Sequence, residues 1–190
     1  MEKIRLGLAM CGSFCTFGRV LKVFRTLTEK YDVQPIMSET AAHTDTRFGK
    51  AESFREVLED YSGHDIIDSI PTAEPIGPKK MLDVLVIAPC TGNTLAKLAN
   101  GIADSSVTLA AKAHLRNGRP LVLAVSTNDG LGANARNIGQ LMARRNVYFV
   151  PFGQDDSAGK PASLVAEFEK IDETVQFALK GEQIQPILIT

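Results

Sequence analysis

VLVIAPCTGNTLAKLANGIADS, residues 84–105, is the stretch that decides the fold. Its first five residues, 84–88, are all apolar, as in a central parallel strand buried on both faces. Leu95, Leu98, Ala99 and Ile102 then recur at helical spacing. Between strand and helix stand Pro89, Cys90, Thr91, Gly92, Asn93 and Thr94, a run of short side chains with open backbone. Such a turn either caps the next helix or holds an anion at the helix N-terminus, where N–H groups lack acceptors and the dipole is positive. The residues of the turn leave both readings open.

The same alternation extends on either side. Residues 4–10 read as a strand that ends at Cys11-Gly12-Ser13. Phe17, Val20, Leu21, Phe24 and Leu27 then form one apolar helix face. Residues 33–37 are a second short strand, followed by Ser38-Glu39-Thr40, a polar loop and a helix over about 51–60. Residues 62–80 are irregular, with a short strand near Ile66-Ile67 and then a Pro- and Gly-rich loop. After the opening stretch come a helix to about Asn117, a buried strand at 121–125 and a helix at 138–145. A last short strand at 147–150 and a closing helix at 162–179 complete the pattern. This predicts a single α/β domain over 1–190 with a tail at 181–190, built as a doubly wound parallel sheet in three layers with right-handed crossovers.

Composition narrows the function classes. The chain has 190 residues, 44% hydrophobic and 23% charged, with a net charge of −1. That is an ordinary globular balance, with no basic excess pointing to nucleic acid or a membrane surface. No apolar run is long enough to span a bilayer. Cys11, Cys15 and Cys90 cannot all pair within one chain, and Met1-Glu2-Lys3 shows no export pattern. Free thiols in a reducing cytoplasm are expected. His43, His64 and His114 lack ligand spacing, so no metal site is expected.

In doubly wound sheets the ligand lies beyond the carboxyl ends of the strands, where strand order reverses. That directs attention to three loops. In the first, Gly12 permits close ligand approach, and Ser13 either caps its helix or offers its hydroxyl. Gly7, Gly12 and Gly18 lack the spacing of a dinucleotide loop, so a mononucleotide is the better expectation. Ser38 and Thr40 add hydroxyls from the second loop, and residues Pro89 to Thr94 form the third.

The run A-P-C-T-G-N-T at 88–94, with Lys97 and Gly101-Ile102-Ala103-Asp104, resembles the signature of the flavoprotein family that includes the homo-oligomeric flavin-containing cysteine decarboxylases. The resemblance covers roughly residues 3–152 and implies a flavodoxin-like (Rossmann-like) fold that binds FMN. The implied FMN contacts are Gly12, Ser13, Phe14, Ser38, Thr40, Pro89, Cys90, Thr91, Gly92, Asn93 and Thr94, with the flavin at a contact between protomers in a trimer or larger homo-oligomer.

Two features depart from those decarboxylases. Their catalytic histidine belongs in the stretch 70–80, which has none here, and His64 could replace it only if the loop folded back. Their substrate-clamping P-A-M-N is replaced by Ser126-Thr127-Asn128-Asp129-Gly130-Leu131-Gly132. With residues 6–17, this combination is similar to a branch of the family, the B-type subunits of bacterial dipicolinate synthases. That branch implies oxidation of dihydrodipicolinate to dipicolinate in the mother cell of a sporulating bacterium, with a dehydrogenase-like A-type subunit carrying NAD(P). Ser126, Thr127 and Asn128 become the candidate contacts to the dicarboxylate, and no catalytic residue is assigned. The alternatives are a stand-alone FMN-dependent decarboxylase or prenyltransferase-like enzyme, and a non-catalytic scaffold chain. Cys90 reads either as a thiol activated by the helix terminus or as a small residue lining the turn. Cys11 and Cys15 read as packing residues, and Arg136, Arg144 and Arg145 read either as a solvated helix face or as including one contact to a substrate carboxylate.

Overall fold

Up to residue 150 the main strands and helices follow one another in the order that the hydrophobic pattern predicts. The computed structural model describes residues 3–189; Met1, Glu2 and Thr190, the last residue of the expected tail, lie outside the described residues. β1 (Arg5–Met10) leads through a 3-10 turn into α1 (Phe17–Lys30), then β2 (Asp32–Met37). α2 (Glu39–His43), α3 (Ala51–Ser62) and α4 (Ile70–Ala73) precede β3 (Val84–Cys90) and α5 (Gly92–Ala99). α6 (Ser106–Arg116), β4 (Leu121–Thr127), α7 (Ala135–Met142) and β5 (Val147–Phe149) follow. The chain ends with β6 (Phe152–Gly153), β7 (Leu164–Ala166) and α8 (Ile171–Leu179).

β1, β2, β3, β4 and β5 are parallel, in the order β2-β1-β3-β4 with β5 beside β4. This 2-1-3-4-5 order is that of flavodoxin-like doubly wound sheets, and its switch point lies between β1 and β3. Every residue of β3 is buried, as its apolar composition requires of a strand covered on both faces. α1 turns Phe17, Val20, Val23, Phe24 and Leu27 inward. Val23 takes the place expected for Leu21, which is only partly buried.

Several local expectations change. Glu39–His43 forms a short helix where a loop was read, because the Ser38 hydroxyl accepts the Ala41 N–H at 3.2 Å. The short strand at Ile67 is a single bridge to Ile36, and Ile70–Ala73 is a helical turn rather than loop. Ile102 falls outside α5 and is exposed, since Gly101 at φ 72 ends the helix.

The largest correction concerns 162–179, where one helix was expected. Leu164–Ala166 is instead a strand, antiparallel to both β4 and β6, and α8 begins only at Ile171. The sheet is therefore mixed, with β4 paired to β5 along its first half and to β7 at Ser126 and Thr127. Residues 187–189 run beside β6, where Phe152 exchanges backbone hydrogen bonds with Ile187 and Ile189.

Candidate functional site

The carboxyl ends of β1, β2, β3 and β4 carry the three predicted loops to one end of the sheet. Ser38 N–H donates to Met10 O at 2.9 Å and Cys11 N–H to Pro89 O at 3.3 Å, which ties the loops together. Two crevices open there. The larger, about 1150 Å³, takes in Gly12, Ser13, Phe14, Gly92, Ser126 and Asn128. The smaller, about 560 Å³, takes in Ser38, Thr40, Thr94, Lys97, Asp104 and Ser105. Gly12, Thr91 and Asn93 line both and form the ridge between them.

The turn after β3 does two jobs at once. Thr91 caps α5, its hydroxyl accepting the Thr94 N–H at 3.3 Å. The Thr94 hydroxyl bonds in turn to Cys11 Sγ at 3.2 Å, fixing the helix start against the end of β1. The first-turn N–H groups of Gly92 and Asn93 still face the crevices without intrahelical acceptors. Pro89 and Cys90 line neither crevice; they are the buried last residues of β3. Burial pushes the Cys90 thiol well above its usual range. Burial likewise raises Cys11 to about 11, against the Thr94 hydrogen bond that lowers it. Both thiols are protonated packing residues at neutral pH. Cys15 differs from the expectation: it is exposed and lines the larger crevice.

Ser13 makes no side-chain cap to its helix. Its hydroxyl shares a 2.8 Å hydrogen bond with the Ser126 hydroxyl at the end of β4. Beside it, Asp129 accepts from the Thr127 hydroxyl at 2.6 Å and from Asn134 Nδ2 at 2.8 and 2.9 Å. These donors, the Thr127 hydroxyl first, hold the Asp129 carboxyl below its ordinary range. Asn137 Nδ2 donates to Asn134 Oδ1 at 2.8 Å and extends the network into the core. The network explains Gly92, because a Cβ there would lie 2.5 Å from Asn134 Nδ2 and 2.6 Å from Thr127 Oγ1. Space for this network, and not only ligand approach, requires the glycine.

On the other side, the Glu39 carboxylate accepts the Ser106 N–H at 3.0 Å and the Ser106 hydroxyl donates to Met37 O at 2.6 Å. The small crevice is thereby bounded by the starts of α2, α5 and α6. Its hydroxyls, first-turn N–H groups and Lys97, which is paired with Asp104 at 2.7 Å, match the needs of a phosphate ester. Together with the ridge of Gly12, Thr91 and Asn93 that both crevices share, these residues fit a phosphate-bearing mononucleotide.

No histidine lines either crevice among the described residues. His64 bonds to Asp32 at 2.6 Å, at the start of β2 and so at the opposite end of the sheet. His114 is buried against Pro120 O, and His43 faces Asp68. Arg136, Arg144 and Arg145 are exposed on and after α7, as expected.

The sequence pattern did not mark several liners of the larger crevice: Arg47, Phe48, Asp129, Asn134, the segment from Lys160 to Ser163 and Val165. Asp129 and Asn134 carry a signal in D-G-L-G-A-N, a tight turn before a helix, but not their approach to Gly92. Nothing local marks Arg47 and Phe48.

The flavoprotein family model, described as Flavoprotein, matches residues 1–180. The B subunit of dipicolinate synthase from Bacillus subtilis strain 168 is 46% identical over 186 residues, 97% of this chain and 93% of that one. The crystal structure of the corresponding B subunit from Bacillus halodurans C superposes with a TM-score of 0.91 at 46% identity, covering 100% of this chain and 99% of that one. The FMN-dependent cysteine decarboxylase SpaF shares the fold, with a TM-score of 0.65 at 24% identity over 93% of this chain and 95% of that one.

Proposed function

Because the chain belongs to the flavoprotein family, we propose that it serves as the B-type subunit of a dipicolinate synthase, acting with a dehydrogenase-like A-type partner to oxidise dihydrodipicolinate to dipicolinate. The near full-length likeness to the Bacillus subtilis protein carries this reading. The site agrees with it, since among the described residues no histidine lines either crevice to play the part that the resemblance implies for the cysteine decarboxylases.

The reaction removes a hydride equivalent and a proton from the dihydropyridine ring. NAD(P)⁺ held by the partner chain would be the final acceptor of the hydride equivalent, and solvent would take the proton. Aromatisation supplies the driving force, so the protein's task is to orient the ring and neutralise two carboxylates. Ser13, Ser126 and Thr127 present hydroxyls at the floor of the larger crevice, and Asn128 stands exposed at its rim. The first-turn N–H groups of α5 face the same space and favour an anion.

FMN is the cofactor we assign to the junction of the two crevices, where its ring would supply a two-electron carrier between the substrate and the NAD(P)⁺ of the partner chain. Gly12, Ser13 and the turn up to Thr94 would hold its phosphate, with Ser38 and Thr40 near the flavin. The family's habit of placing the flavin between protomers suggests a homo-oligomer, a trimer or larger. The mother-cell cytoplasm of a sporulating bacterium is the corresponding location.

The test is dihydrodipicolinate oxidation measured with the A-type partner alone, this chain alone and both together. Turnover that requires both chains is the expected result. Full turnover by the A-type partner alone overturns the catalytic role. Titration with FMN, followed by flavin absorbance and fluorescence, tests the cofactor; a colourless protein without FMN affinity removes it.

A further inference from the structure

We propose that Arg47 anchors one carboxylate of the dicarboxylate substrate and so sets the preference for a doubly charged ring over a singly charged one. The inference rests on the function proposed above and names the substrate contact that reading leaves unassigned.

Charge accounting within the larger crevice singles out this residue. Three cationic side chains line the crevice: Arg19, Arg47 and Lys160. Arg19 is committed to Glu169 at 2.9 Å and to the face of Phe168 at 5.0 Å. Lys160 lies 4.0 Å from Asp155. Arg47 has no carboxylate partner among the described residues. The acids that line the crevice are otherwise engaged, Asp129 by Thr127 and Asn134 and Asp155 beside Lys160. An arginine facing a concave site without a counter-charge presents five N–H donors suited to a planar anion.

The loop that carries Arg47 is built to hold it in place. Thr46 and Gly49 exchange both backbone hydrogen bonds, at 3.0 and 3.1 Å. The Thr46 hydroxyl accepts the Phe48 N–H at 3.2 Å, and Asp45 accepts the Ala51 N–H at 2.9 Å. Gly49, at φ 150, packs against the ring of Phe54. Phe54 meets Phe17 edge-on at 5.0 Å, and Phe17 meets Phe14, itself a crevice liner, at 5.1 Å. The loop is thus connected by ring contacts to the floor of the crevice.

The geometry of Arg47 also suits the substrate. Its guanidinium lies 4.9 Å from the centroid of the Phe48 ring. A cation over an aromatic face keeps the edge of its fork free for bidentate hydrogen bonds to a carboxylate. Phe48 is 46% exposed, which leaves its ring able to cover a flat heterocycle. The pair therefore offers one charged contact and one apolar contact, the two features of a pyridine carboxylate.

The test uses the complex of this chain with its dehydrogenase-like partner. Steady-state oxidation of dihydrodipicolinate is compared for wild type, Arg47→Gln, Arg47→Lys and the exposed control Arg145→Gln. Inhibition by dipicolinate and by picolinate, which has a single carboxylate, is measured for each. Arg47→Gln is expected to raise KM by about ten- to a hundredfold, the effect of losing one charged hydrogen-bond partner. Its kcat should stay within about twofold, the signature of lost uniform binding. Arg47→Lys should recover part of the affinity, and the preference for dipicolinate over picolinate should collapse only in the Arg47 variants. An active wild type with unchanged KM and preference in Arg47→Gln overturns the anchor alone. Weakened assembly of the complex with unchanged KM at saturating partner also overturns it, by making Arg47 a contact for an acidic partner surface. A wild-type complex that neither oxidises dihydrodipicolinate nor binds dipicolinate removes the functional reading and the anchor together.

Discussion

Ser13 Oγ and Ser126 Oγ lie 2.8 Å apart, joining the loop after β1 to the end of β4 across 113 positions of sequence. Ser126 is 5% exposed, so its hydroxyl depends on this partner. Ser13→Ala is expected to cost about 1–3 kcal/mol, because it leaves a buried hydroxyl without its bond. The double variant Ser13→Ala/Ser126→Ala should cost less than the sum of the two singles. Urea denaturation of the four proteins measures that coupling, and strict additivity contradicts it.

Gly92 is the second sensitive point. A Cβ at this position meets Asn134 Nδ2 at 2.5 Å, Thr127 Oγ1 at 2.6 Å and Asp129 Oδ1 at 2.9 Å. All three atoms belong to one hydrogen-bonded network, so none can give way alone. Gly92→Ala should lower stability by about 1–3 kcal/mol through overpacking. It should also weaken anion binding at the start of α5. Thermal unfolding compared with Gly139→Ala, where a Cβ meets open space, provides the control.

His114 makes stability depend on pH. It is 1% exposed, and burial lowers its pKa to about 4 against the opposing pull of the Pro120 carbonyl. Below about pH 6.5 the unfolded chain takes up a proton that the native chain refuses until about pH 4. Stability attributable to neutral His114 is therefore present above this window and lost as pH falls through it, by up to about 1.4 kcal/mol per pH unit. Denaturation of wild type and His114→Gln between pH 7 and 4.5 should show the flatter slope in the variant. Parallel slopes would exclude this histidine as the source.

The thiols should divide by accessibility. Cys15 is exposed, whereas Cys11 and Cys90 are buried with raised pKa values. A disulfide reagent should titrate one thiol per native chain and three after unfolding. A ligand filling the larger crevice should slow modification of Cys15, which lines it. Cys90→Ala should keep its turnover with the A-type partner; loss of turnover in a folded variant would restore a covalent role for that thiol.

The parts of the fold legible in the sequence are those whose signals lie within a few residues. The apolar run 84–88, the short polar turn after it and the Leu95, Leu98, Ala99 stripe mark β3 and α5 directly, while the structure selects Thr91 as the cap. The three polar loops after β1, β2 and β3 were likewise readable, and the structure gathers them at one end of the sheet. β7 was not readable: Leu164-Val165-Ala166 followed by Phe168 and Ile171 suits a helix face as well as a strand. Only pairing with Ser126–Thr127 and Phe152–Gly153 makes it a strand. The same limit hid Asp129 and Asn134, whose meaning lies in their distance from Gly92.

By itself, then, the sequence determined the alternating α/β plan, the three loops and the absence of the decarboxylase histidine from residues 70–80, since periodicity, caps and motifs are local. The tertiary structure decided which partner Ser13 chooses, that His64 sits with Asp32 far from the crevices, that Cys90 is buried, and that Arg47 lines the larger crevice without a counter-charge among the described residues. Those outcomes depend on contacts between residues far apart in the chain, which exist only once the sheet has twisted and its loops have packed.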